Sequence, residues 1–151
     1  MKHAATMAAV AAAVAAGAVG VLRGTWAVGG SDSSCYGLMA RAFADGDLQP
    51  DSALALAAPW PGAQLTTAPG GFVPSPVRPA GASPVCAPGF ALLAAPFAIV
   101  AGHDGLFWLS PLAGAALVWL AFVLGRRLSG SEAGVSAALV TASSPILLYQ
   151  V

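Results

Sequence analysis

Charge is what this sequence has least of: six Lys or Arg and six Asp or Glu in 151 residues, or 8%, against roughly a quarter in ordinary soluble domains. So few charges cannot cover the surface of a soluble fold. The two signs cancel, which leaves no cationic face to gather nucleic acid by counterion release. Histidine and cysteine are scarce too. His3 and His103 lie far apart, and Cys35 and Cys86 lack the CxxC spacing of a zinc or redox site, so the sequence carries no metal motif.

What it does have is apolar length, with 58% hydrophobic residues and a mean hydropathy of +0.78. Three stretches, 4–22, 106–125 and 133–151, contain no charge at all. Each is long enough to cross a hydrocarbon core of about 30 Å, which takes about 20 helical residues. The first is rich in Ala and Gly and follows Lys2, a pattern shared by a first span and by a secretory signal peptide. Arg23 and Trp26 follow it as a membrane-interface flank would. A fourth apolar run, 90–101, is shorter and contains Pro96, which suits a juxtamembrane helix better than a span.

Orientation follows from the cations. Lys2, Arg126 and Arg127 all lie on the cytoplasmic side if only 4–22 and 106–125 cross before the Arg pair. The resulting expectation is an all-α, polytopic membrane protein with its N-terminus inside. It has an external loop over 23–105 with juxtamembrane helices near 32–45 and 88–101, a cytoplasmic loop over 126–132, and a third span over 133–151. Trp26, Trp108 and Tyr149 then fall near the outer interface, where amphipathic rings are favoured. The lipid bilayer is the first partner this implies.

Chemistry belongs in the external loop. In Ser31 to Gly46, Tyr36, Met39, Ala40 and Phe43 recur at helical spacing between a Ser/Asp start and a Gly stop, which predicts a helix capped at both ends. Asp32 at its start reads either as a cap paired with the helix dipole or as a carboxylate presented to a substrate. Asp45, Asp47 and Asp51 read as a solvated turn. Nine of the twelve prolines lie between Pro50 and Pro88, which predicts an ordered but irregular excursion. His103 and Asp104 form a turn before the second span, by default an interface turn, otherwise a contact to a phosphate head group. Cys35 and Cys86 share the external, oxidising side, so they form a disulfide or remain two buried thiols.

The order of these elements resembles a family. A first span, then GGSDSSCYGLMARAFADGDL, a Pro-rich stretch, CAPGFALLAAPFAIVAGHDG and the turn LGRRLSG are similar to the start of GT-C membrane glycosyltransferases. The nearest members are protein O-mannosyltransferases, the aminoarabinose transferase of lipid A and Rgt-type lipopolysaccharide glycosyltransferases. The family's catalytic Asp in the first external loop maps onto Asp32, with Tyr36 beside it. Tyr36, His103 and Asp104 are then candidate substrate-binding residues. Many relatives carry Asp-Glu or Asp-Asp where this chain has Asp32-Ser33. The resemblance therefore does not carry over a carboxylate pair, and it assigns no certain cofactor while leaving a divalent metal open.

The resemblance implies transfer of a sugar from a polyprenyl-phosphate donor to an acceptor at the outer face of the cytoplasmic membrane. It also implies further spans after Val151, making these residues the N-terminal part of the enzyme and inactive alone. Transporter fragments and accessory membrane subunits are the competing class. Transporters place ionisable groups in mid-span, whereas the acidic residues here lie outside the three apolar stretches.

Overall fold

A computed structural model describes the backbone of residues 2–150 and the side chains of 3–148. Val151, at the end of the expected third span, and the side chains of Lys2 and Tyr149 lie outside the described residues. The chain forms two compact units, one built from its two ends and the other from residues 26–106.

The first unit is helical. Helix α1 spans Lys2–Arg23 and α6 spans Leu109–Ala142, and both are long and apolar enough to cross a membrane. The core of a soluble protein could hold such helices only by covering them. Here just 28% and 22% of their most apolar windows are buried. What α1 buries is small: Ala9, Ala12, Ala13 and Ala16 meet Val118, Phe122 and Ala138 of α6. A methyl group on Gly17 would lie 3.3 Å from the Ala115 side chain. Small residues let helices approach closely, the usual device where lipid rather than water surrounds them.

Helix α6 is not one rod. Ser129 and Gly130 leave helical geometry, and Gly130 takes φ +88°, which only glycine adopts without strain. The chain then doubles back: a Cβ on Gly134 would stand 2.8 Å from the Phe122 carbonyl oxygen. In a straight helix those two positions would be about 18 Å apart. The expected loop over 126–132 therefore shrinks to a two-residue break, with Arg126 and Arg127 still helical.

The third apolar stretch departs from expectation as well. It breaks after Ala142 and resumes as α7, Pro145–Gln150, instead of continuing as one helix. Pro145 disfavours helical geometry in the residue before it and offers no amide proton. The freed carbonyls are answered locally, since the Ser144 amide donates to the Thr141 carbonyl at 3.2 Å and Ser143 Oγ to that of Val140 at 3.3 Å.

In the second unit α2 (Gly30–Asp45) packs on α5 (Pro88–Gly105). Between them run two short helices, α3 (Ala53–Ala57) and α4 (Ala63–Thr67), and the strands β1 (Phe72–Pro74) and β2 (Ala82–Pro84). The strands pair antiparallel with Phe72 opposite Pro84 and Val73 opposite Ser83. This hairpin corrects two expectations, an all-α fold and an irregular Pro-rich excursion. Prolines end both strands, where a missing amide costs no ladder bond.

Candidate active site

Helix α2 carries two of the residues expected at the site, Asp32 and Tyr36. Its buried face is Cys35, Met39, Ala40 and Ala42, close to the stripe read from spacing but rotated, because Tyr36 and Phe43 are only half-buried. Gly46 ends it in a left-handed conformation, and the Asp47 amide returns to the Ala42 carbonyl at 2.9 Å. The start differs from expectation. The capping residue is Gly29, with no side-chain hydrogen bond. Asp32 is therefore not a cap, and its carboxylate lies in the first helical turn.

That carboxylate is exposed and makes no hydrogen bond or ion pair with any described residue. The other side of the same turn is covered. Gly70 packs on Ser31 and Ser34, and Gly71, with φ +82°, lies so close to Cys35 that any side chain there would collide with it. A carboxylate at a helix start sits where the macrodipole favours negative charge. Its surroundings thus leave the oxygens open to solvent while the helix behind them is held.

The holding is covalent. Cys35 and Cys86 are joined, their alpha carbons 6.4 Å apart, so the second turn of α2 is tied to the entry of α5. Cys35 Sγ also lies 3.0 Å from the Gly71 carbonyl oxygen. A disulfide sulfur has no proton to donate, so this is a packing contact. One turn beyond Asp32, Tyr36 sets its ring edge-on to Phe90 at 5.5 Å between centroids.

His103 and Asp104 are elsewhere. Helix α5 leaves helical geometry at Gly102, and Gly105 folds back onto the Phe97 backbone, so both residues stand exposed at the tip of that turn. His103 Nδ1 is 2.6 Å from Arg41 Nη2. A guanidinium only donates, so the imidazole nitrogen accepts. Tyr36, one turn from Asp32, meets the beginning of α5 at Phe90, and Arg41 meets its end at His103, so the four sequence candidates divide into two groups.

Sequence reasoning missed two cations. Arg41 is one, and Arg78 is the other. The Arg78 guanidinium reaches Asp47 Oδ1 at 2.9 Å, Asp51 Oδ2 at 3.1 Å and the Gln49 carbonyl at 2.6 Å. Asp47 and Asp51 thus pair with an arginine in a turn that stays solvated, their side chains 48% and 51% exposed. The signal was available, because Arg41 and Arg78 are the only cations between Arg23 and Arg126. Among the described residues no three His, Cys, Asp or Glu gather to hold a metal ion, and Asp32 alone does not make such a site. The chain matches no protein-family model, no curated protein and no solved structure.

Proposed function

We propose that these residues are the N-terminal part of a polytopic membrane glycosyltransferase of the GT-C kind, with Asp32 as its catalytic base. In this reading α1 and the first arm of α6 cross the cytoplasmic membrane with the N-terminus inside, the second arm of α6 begins a return span that α7 continues, and residues 26–106 lie on the outer face. The donor is a polyprenyl-phosphate sugar. The acceptor hydroxyl attacks the anomeric carbon, the bond to the phosphate oxygen breaks with inversion, and polyprenyl phosphate leaves with the electron pair. Asp32 takes the hydroxyl proton.

One observation carries the reading: a partnerless, exposed carboxylate in the first turn of a helix fixed by a disulfide. Asp47 and Asp51 are engaged by Arg78, whereas Asp45 and Asp104 share the exposure of Asp32, so what sets Asp32 apart is its place in the first turn of the disulfide-held helix. Positioning by the rest of the enzyme supplies most of the rate, because one base contributes about 10²- to 10⁴-fold. Tyr36 beside Asp32 would line the acceptor path, and the group at His103, Asp104 and Arg41 would face the phosphate.

The test is Asp32→Asn in the full-length protein, with sugar transfer assayed in membranes and expression checked in parallel. Asn keeps the size and removes the charge, so folding should change little and turnover should fall about 10²- to 10⁴-fold. Transfer near the wild-type rate would return Asp32 to a helix-dipole role.

A further inference from the structure

We propose that α3 and α4 form a wedge that beds into the interfacial region of the bilayer crossed by α1 and α6. The inference rests on the membrane part of the reading above and not on its sugar chemistry. Four large apolar side chains, Leu54, Leu56, Trp60 and Leu65, are between 51% and 72% exposed. No other element of the second unit covers them. A cluster of this kind marks an interaction surface.

Three features identify lipid as the occupant. The first is charge. Residues 52–77 contain none, whereas Asp47, Asp51 and Arg78 stand just outside that interval and pair with one another. A protein partner would find no electrostatic registry here, and hydrocarbon needs none.

The second is polar satisfaction, which lipid demands because it offers no hydrogen bonds. Ser52 Oγ accepts the Ala55 amide at 3.2 Å, capping α3. Thr66 Oγ1 and Thr67 Oγ1 donate to the Ala63 carbonyl at 3.1 Å and 2.7 Å. Trp60 Nε1 donates to Thr66 Oγ1 at 3.0 Å, so even the indole's polar edge is answered from inside the wedge. Pro59 and Pro61 remove two amide donors from the connecting turn. Of the polar side chains in 52–67 only Gln64 makes no such bond, and it is exposed.

The third is tethering. The unit containing the wedge begins at Trp26, three residues after α1 ends, and finishes at Leu106, three residues before α6 starts. Chain connectivity alone keeps it beside whatever surrounds those two apolar helices. A short apolar helix pair held at a bilayer surface lowers its free energy by burying Leu and Trp among acyl chains, as monotopic helices do.

The experiment uses single added cysteines, since the two native ones are consumed in the disulfide. Leu56→Cys, Leu65→Cys and, as a reference in α6, Leu120→Cys are labelled with an environment-sensitive fluorophore. Each full chain is reconstituted in phosphatidylcholine vesicles with a minority of phosphatidylglycerol. Nitroxide-bearing phosphatidylcholine and aqueous iodide serve as quenchers. All three positions are exposed, so the substitutions remove no buried contact. The expected result is lipid quenching at positions 56 and 65 at least half as strong as at 120, with little iodide quenching. Strong iodide quenching at 56 and 65, with lipid quenching at 120, overturns the wedge and leaves the spans standing. Lipid quenching at none of the three overturns the membrane reading itself. Shielding of 56 and 65 from both quenchers that disappears on dilution of protein into lipid would assign the surface to a second copy and overturn the proposal.

Discussion

The two units are stabilised by opposite means. The unit formed by α1 and α6 buries mostly alanine and glycine around Val118 and Phe122 and turns Leu117, Leu120, Leu124 and Val140 outward. The unit of residues 26–106 is fastened by a disulfide, a three-way arginine clamp and a two-stranded hairpin. In water the first arrangement would forfeit most of its hydrophobic driving force, at about 25 cal/mol per Å² of apolar surface left exposed. Surrounded by lipid it loses nothing, and close packing of small residues becomes the main source of cohesion. The second unit has few large buried side chains, Met39, Phe72 and Leu106 among them. Cross-links replace the core it lacks, as in small secreted domains.

The sharpest way to break this contrast is to remove the disulfide. Cys35 and Cys86 are 51 residues apart, and the loop-entropy model assigns a closure of that length about 4 kcal/mol. Cys86→Ser should release residues 30–105 to rapid hydrogen exchange while α1 and α6 keep their protection in the same detergent sample. Uniform loosening of both units would mean that they are one cooperative structure, and the contrast would fail.

A smaller effect is expected in the other unit. At Gly134 an added side chain meets backbone, the Phe122 carbonyl oxygen at 2.8 Å and the Arg126 nitrogen at 3.0 Å. Backbone cannot step aside as a flexible side chain can. Gly134→Leu should therefore pry apart the arms of α6 and cost about 1–3 kcal/mol, in the range of overpacked cores. Thermal unfolding in detergent, followed by helical signal, would register it. Wild-type stability in the variant would show that the arms do not depend on glycine for their approach.

These contrasts were unequally legible in the sequence. Long helices announce themselves by runs of uncharged residues, so α1 and the first arm of α6 follow from composition alone. The breaks at Ser129-Gly130 and before Pro145 are local and were also written there, yet an apolar run hides them because lipid-facing helices tolerate Ser, Gly and Pro. Helix α2 was legible from spacing and α5 from its short apolar run. The pairing of Phe72 with Pro84 was not, since proline is read as a strand breaker and only the tertiary setting makes it a strand end. Asp32 stood out by its place in the chain, but its lack of a partner is a three-dimensional fact. Arg78 failed to stand out because one cation near three acids has no fixed spacing to recognise.

The smallest effect tests that cation. Arg78 joins Asp47 and Asp51, but the side chains are 40% to 51% exposed, so water screens the pairs and each contributes little. The stem matters as well. A Cβ on Gly81 would fall 2.8 Å from the Arg78 Cβ, so the arginine's aliphatic part packs against the hairpin turn. Arg78→Met keeps that packing and removes only the charge. The expected cost is about 1 kcal/mol, confined to the turn where the Ser75 amide donates to the Gly81 carbonyl at 2.8 Å and the Ala82 amide to that of Pro50 at 3.1 Å. Exchange of those two amides should quicken about fivefold in the variant. In the wild type, about 1 M salt should reproduce part of that change, because the Debye length falls to about 3 Å. If the amides exchange equally fast in both proteins at low salt, the clamp contributes nothing, and the disulfide must hold the second unit together without it.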